Sequence, residues 1–373
     1  MQEHSIHLKK YSYIDILRGI AILGVIAVHS HQRIRGLSKF ISWIFNYGQL
    51  GVQLFFVASA MTLCLSMNRR NENSPYNFYV RRIFRIAPLY YFGIALYLIW
   101  GTLKTYYISG QISIPSQYNT FGIFANILFV HGFYPSVNNN VVPGGWSIAT
   151  EMTFYAIFPI LYWIQSKTTN KKFLSYAVIS ISICFLVELI INCLFNRSTD
   201  NTNFIYFSIL NQLSVFIIGI YAYRLLNKPR IGLTGTVIGV VFSVISCFLL
   251  NGEFRSGFNG FIIPILSSMS FLVLAINLSN LDKLDNLLSN ALKKIGEVSF
   301  SMYILHFLFL DLIDFLFKKS IFNFIKTPEI QLSILFSAVV ITTYLFSTIS
   351  RKFIENPGIN FGKIFLKKNF ELP

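Results

Sequence analysis

Charge is what this sequence has least of: 12% of its 373 residues are Asp, Glu, Lys or Arg, and only 15 are acidic. A soluble domain carries about a quarter charged residues, so a soluble fold of this length is excluded and the bilayer must solvate most of the chain. Cysteine is scarce as well. Cys64, Cys184, Cys193 and Cys247 all fall inside apolar stretches, without paired or CxxC spacing, which excludes a disulfide framework or zinc site and reads them as small buried hydrophobes. No repeat, low-complexity tract, heptad pattern or soluble appendage interrupts the chain, which therefore reads as one domain. A cleavable leader is also missing. Lys9, Lys10 and Arg18 precede an apolar run in the manner of a signal peptide, but no small-residue cleavage motif follows, so that run is kept as a first membrane span.

What is present is hydrophobic matter. Hydrophobic residues make up 54% of the chain, and 38 Phe with 20 Tyr raise the aromatic share to 17%, which suits a lipid-facing surface with interfacial ring belts. The formal charge of +16 would suit nucleic acid if it formed one patch, but the basic residues lie in short clusters between apolar runs, and no nucleic-acid partner is expected. About 20 apolar residues cross a bilayer. Ten such segments are read near 13–31, 49–67, 83–101, 146–165, 173–194, 204–223, 231–250, 260–279, 299–317 and 330–350, and 121–133 is too short and reads as re-entrant or interfacial. With both termini cytoplasmic, this scheme places 22 of the 31 Lys and Arg inside, as the positive-inside rule requires. An eleventh crossing would invert that bias. The expected fold is an all-α polytopic helix bundle of about ten spans.

Polar groups inside spans are functional hypotheses by default. Arg18 and His29 are eleven residues apart on the first span, hence on one helix face and about 16 Å apart along the axis. A guanidinium at one end can hold phosphate while an imidazole at the other handles a proton. Arg82 and Arg85 open the third span on one face, where helix N-terminal amides would also attract an anion. In Pro143-Gly144-Gly145-Trp146-Ser147 through Glu151, Ser147 is a candidate N-cap. Glu151, a turn later, is expected at the depth of His29, where a carboxylate would fix the imidazole tautomer. Ser301, Tyr303 and His306 occupy one half of the ninth span, and Arg351-Lys352-Phe353-Ile354-Glu355 closes the last with an expected clamp onto Glu355.

These motifs, in this order from Tyr13 to Pro357, resemble the acyltransferase family 3 of integral membrane acyltransferases, which O-acetylate bacterial surface glycans and related acceptors. The resemblance implies acetyl-CoA or another short acyl-CoA as cytoplasmic donor, a glycan or lipid-linked acceptor hydroxyl on the outer side, no metal, and a multi-pass place in the bacterial inner membrane. By this likeness His29 is the catalytic histidine with Glu151 in support, and Arg18, Arg82 and Arg85 contact the coenzyme. His306 is expected on the pantetheine arm, and Trp146, Ser147 and Tyr303 on the substrate. Some members of that family continue into an SGNH-type domain. This chain, ending at Pro373, reads as the stand-alone form. The rival from another class is a transporter or flippase of a glycan or lipid-linked intermediate, which explains the helices and buried charges equally well but not the basic pair.

Overall fold

The structure is a computed structural model that describes residues 11–70, 74–194, 204–226, 231–250, 257–280, 285–319 and 324–370. Their regular secondary structure is all helical, with no strand among them. Among the described residues, nine helical stretches are long and apolar enough to cross a membrane, and a tenth apolar helix, Leu233–Leu249, has 17 residues, about 25 Å at 1.5 Å per residue. The chain is an all-α polytopic bundle. We number its helices α1 (Ser12–His31), α2 (Lys39–Tyr47), α3 (Gly51–Arg70), α4 (Pro75–Ser109), α5 (Thr120–Ile127), α6 (Gly145–Lys167), α7 (Asn170–Leu194), α8 (Ile209–Leu225), α9 (Leu233–Leu249), α10 (Gly257–Ser279), α11 (Leu287–Glu297), α12 (Ser299–Lys319), α13 (Pro328–Ser350) and α14 (Asn356–Phe370).

Burial separates the central helices from the lipid-facing ones. The most apolar window of the α2–α3 stretch is 83% buried, whereas that of α7 is 17% buried, so α7 offers its Leu, Ile and Val side chains outward. Helix α1 lies in the middle and packs against α3, α11, α12 and α13. Its contact with α11 is backbone to backbone. A Cβ added at Gly19 would collide with the Leu292 carbonyl, and one added at Gly296 with the Asp15 carbonyl, the small-residue packing that lets membrane helices approach closely. A capping box between Asn286 and Ser289 starts α11, fixing where that close contact begins.

Local signals set the other boundaries that matter. Ser74 caps α4 by accepting from the Asn77 amide, Pro75 takes the first helical position, and Gly110 closes the helix at φ 70°. The helix therefore has 35 residues, far more than the 83–101 segment. Arg82 and Arg85 lie two to three turns inside it, so their neighbouring amides are consumed by the helix and the expected N-terminal anion site is not formed there.

Between α4 and α6 the chain turns back into the bundle. Helix α5 has eight residues, about 12 Å, capped by Asn119 accepting from the Gly122 amide, and two 3₁₀ turns follow. His131 at the first of these is fully buried. Its Nε2 lies 3.0 Å from the Gly145 carbonyl and 3.1 Å from the Tyr90 hydroxyl, and burial pushes this imidazole below its ordinary value. A neutral ring whose Nε2–H donates to Gly145 thereby anchors the start of α6 within the protein. Residues 145–150 are all buried.

Candidate active site

Helix α1 carries two cavities, one towards each of its ends. Near its start, Arg18, Arg82 and Arg85 line one chamber together with Ser59, Thr62, Glu151, Tyr155, Glu297 and Glu355. Near its end, His29, Gln32, Gln49, Asn139, Trp146, Tyr206, Phe207 and Phe307 line a second cavity of about 220 Å³. Val52 and Tyr303 line both. The two chambers therefore share a wall, of which Tyr303 is the polar part.

The three arginines converge from α1 and α4 on the first chamber. The Arg18 guanidinium donates to Thr62 Oγ1 at 3.3 Å, and Arg82 lies over the rings of Phe78 and Tyr155 at 5.7 and 5.9 Å. Arg82 Nε is buried without a hydrogen-bond partner. Among the described residues none of the three makes an ion pair with a carboxylate, although Glu151, Glu297 and Glu355 line the same chamber. Those acids are engaged elsewhere. Ser59 Oγ and the Tyr155 hydroxyl donate to Glu151 Oε1 at 2.5 and 2.6 Å, Arg351 pairs with Glu297 at 3.1 Å, and Ser301 donates to Glu355 at 3.0 Å. Charges taken out of water are costly unless compensated, so guanidiniums held off their own carboxylates make this chamber suited to an incoming anion.

Glu151 thus stands in the arginine chamber, and its expected pairing with His29 is not formed. The reason lies in where α6 begins. Gly144, at φ 79°, precedes the helix, and Ser147 falls in its first turn, where its hydroxyl contacts Tyr303 at 2.8 Å and the Gly144 carbonyl at 3.0 Å instead of capping an amide. The Tyr303 hydroxyl also donates to that carbonyl at 3.0 Å. Because α6 starts inside the bundle, its next turn carries Glu151 to Ser59, one turn of α3 from the Thr62 that meets Arg18.

His29 finds its partner on its own helix face. Its Nδ1 is 3.0 Å from Gln32 Oε1. A carbonyl oxygen only accepts, so Nδ1 carries the proton and Nε2 keeps its lone pair. Phe307 packs on the ring with centroids 4.4 Å apart, and His306 lies 5.5 Å away, tilted by 30°. His306 is fully buried, its Nδ1–H donates to the Tyr303 carbonyl at 2.7 Å, and its Nε2 has no hydrogen-bond partner. It lines neither cavity. Trp146 stacks on Phe207, centroids 4.2 Å apart and planes 15° apart, and so gives the second cavity an aromatic wall.

An ion cluster holds the histidine end of these helices in register. Arg33 and Lys104 meet Asp311 at 2.6 and 2.9 Å, Lys318 meets Asp314 at 2.8 Å, and the Trp100 indole donates to Asp311. α1, α4 and α12 are thereby tied one turn beyond His29 and His306. The Glu355 clamp expected from the last motif is replaced: Arg351 takes Glu297, and Glu355 turns to Ser301. Gln32, Ser59 and Thr62 were not singled out by sequence. The available signals were the three-residue spacings His29 to Gln32 and Ser59 to Thr62.

Fold and site together define a polytopic membrane protein whose polar groups meet in two adjoining interior chambers. The chain belongs to the acyltransferase family whose model, described as an acyltransferase domain, matches residues 11–350. A Staphylococcus aureus (strain COL) protein named a putative O-acetyltransferase is 23% identical over 94% of this chain and 58% of its own length. A putative membrane-bound transacylase of Komagataeibacter xylinus is 24% identical over 58% of this chain and 52% of its own, and a putative acetyltransferase of Acidianus two-tailed virus is 26% identical over 83% and 87%. The chain spans a little over half the length of the Staphylococcus relatives. No solved structure matches it.

Proposed function

We propose that this protein moves an acetyl or other short acyl group from a cytoplasmic acyl-CoA to a hydroxyl of an extracytoplasmic glycan or lipid-linked saccharide, in the inner membrane of a bacterium. The observation that carries the reading is the trio of arginines in one chamber, none of them paired with a carboxylate among the described residues, adjoining through Tyr303 a second chamber lined by the half-buried imidazole of His29. About 16 Å of helix separates Arg18 from His29, a span suited to a pantetheine arm with its phosphates on the guanidiniums and its thioester beside the imidazole. The family membership and the printed names of the relatives support acyl transfer by a membrane-embedded protein.

In this reading the acceptor hydroxyl enters the histidine cavity and gives its proton to His29 Nε2 as its oxygen attacks the thioester carbonyl carbon. Gln32 accepts from Nδ1–H and holds the ring as it becomes positive. The Tyr303 hydroxyl, at the shared wall and accepting from Ser147, serves the developing oxyanion by turning its single proton to it from the Gly144 carbonyl. Collapse of that intermediate breaks the C–S bond, and the proton on His29 passes to the departing thiolate. Trp146 supplies an apolar face for the acceptor. Glu151 acts among the arginines, orienting them through Ser59 and Tyr155, and His306 packs behind His29.

The test is purified protein with acetyl-CoA, read as thermal stabilisation and as release of coenzyme A thiol in the presence of envelope glycan. Saturable stabilisation by coenzyme A is expected. His29→Ala should keep that stabilisation and lose roughly 10²–10⁴-fold in thiol release, the usual contribution of a positioned general base. Replacing Arg82 and Arg85 by Ala should raise the acyl-CoA KM more than it lowers kcat. Indifference of the unmodified protein to coenzyme A, or full turnover by His29→Ala, overturns the reading.

A further inference from the structure

The arginine chamber, about 70 Å³, is too small for the whole polar half of coenzyme A, since pockets that bury drug-sized ligands are on the order of 300 Å³ or more. Coenzyme A continues beyond its pyrophosphate into an adenosine that bears a 3′-phosphate dianion. A separate cleft of about 270 Å³ lies next to the chamber, between α11 and the junction of α13 with α14, and shares Glu297 with it. Its lining brings together the cations of Lys294, Arg351 and Lys352 with the polar groups of Tyr344, Thr348 and Asn356.

The backbone at this junction is a single π turn, Arg351–Glu355, set between α13 and α14. Such turns insert a residue into the helical register and recur at functional sites. In this one the register divides the local charges: Glu355 is buried against Ser301 and lines the arginine chamber, while Arg351, Lys352 and Asn356 line the cleft. Arg351 stands between the two spaces, bonded to Glu297. Lys294 and Lys352, both exposed, reach the cleft from opposite walls. Membrane-side lysines are common, but the positive-inside rule alone does not gather them around a cavity with a hydroxyl and amide floor.

The geometry points to this cleft as the seat of the 3′-phosphoadenosine end of the donor, with Lys294 and Lys352 on the 3′-phosphate and Tyr344, Thr348 and Asn356 facing the adenosine. The inference rests on the acyl-CoA reading above and extends it. The donor is gripped twice, by arginines at its pyrophosphate and by lysines at its far phosphate, with Glu297 and Arg351 as the partition.

Calorimetric titration of the purified full chain with coenzyme A and with dephospho-coenzyme A, which lacks only the 3′-phosphate, tests this. The unmodified protein is expected to bind coenzyme A about tenfold or more tighter than the dephospho form, as loss of charge-assisted hydrogen bonds implies. Lys294→Ala with Lys352→Ala should bring coenzyme A down to the dephospho level and leave dephospho-coenzyme A within about twofold. Both side chains are exposed, so the fold should tolerate the change. Arg82→Ala should instead weaken both ligands alike. If the unmodified protein binds both ligands equally, or the double variant keeps the preference, the inference falls while the donor reading stands. A cleft that serves an anionic lipid headgroup gives that same outcome. If neither ligand binds the unmodified protein, both fall.

Discussion

At the scale of single residues, the physics that makes a charge expensive in an apolar run also makes it visible. Arg18, Arg82, Arg85, His29 and Glu151 stand out in the sequence for that reason, and the structure draws all three arginines to one chamber. What the sequence could not supply was Glu151's partner, because that depends on where α6 starts in three dimensions. Nor did it supply Gln32, a neutral side chain at a helix end that carries little signal. In the proposed mechanism the hydrogen bond from His29 Nδ1 to Gln32 takes the orienting role expected of the carboxylate. A hydrogen bond to a charged group contributes about 1.5–3 kcal/mol. Gln32→Leu should therefore lower kcat roughly tenfold or more, with the acyl-CoA KM nearly unchanged, because the bond strengthens as the imidazole gains its proton. Gln32→Glu, which still accepts from Nδ1–H, should retain most of the turnover. Equal losses in both variants, or a loss confined to KM, would remove Gln32 from the mechanism.

At the scale of elements, helix lengths were legible only where they touch lipid. The polar flanks of α4, Pro75 to Arg82 and Thr102 to Ser109, lie outside any hydropathy window, so the segment 83–101 stands for a helix of 35 residues. The return before α6 was legible as a short re-entrant or interfacial segment at 121–133, but not what holds it, since a buried His131 and Asn126 read as polar loop residues until Tyr90 is placed beside them. The contact of α11 with α1 was also invisible: α11 is short and amphipathic, and its Gly296 matters because the Asp15 backbone fills the space a side chain would need. Gly296 lines the arginine chamber, so that contact shapes the site. Gly296→Ala should drive the two helices apart, costing about 1–3 kcal/mol as overpacking does, and should lower both the thermal midpoint and coenzyme A affinity. Gly232→Ala, where an added methyl meets nothing within 4 Å, is the control and should leave both unchanged. A Gly296→Ala protein with ordinary affinity and midpoint would mean that α11 is free to move aside.

At the scale of the whole molecule, the proposed mechanism requires that the two chambers face opposite compartments, because a cytoplasmic coenzyme and an extracytoplasmic glycan would not meet in one. The ion cluster of Arg33, Lys104 and Asp311 marks one end of the bundle, and the cleft of Lys294 and Lys352 marks the other. By the positive-inside rule the second end is expected to face the cytoplasm. Sided thiol labelling decides this directly, because Cys64 and Cys184 are buried and Cys247 is partly so, and a cysteine-free background removes what reactivity remains. Gln111→Cys lies just past the Gly110 that closes α4 at the histidine end, and Lys363→Cys lies on α14 at the arginine end. In intact cells a membrane-impermeant maleimide should label the first, and it should reach the second only once the membrane is opened. Labelling of both from the same side would place donor and acceptor in one compartment. It would leave the 16 Å of α1 between Arg18 and His29 without a thermodynamic reason to span the bilayer.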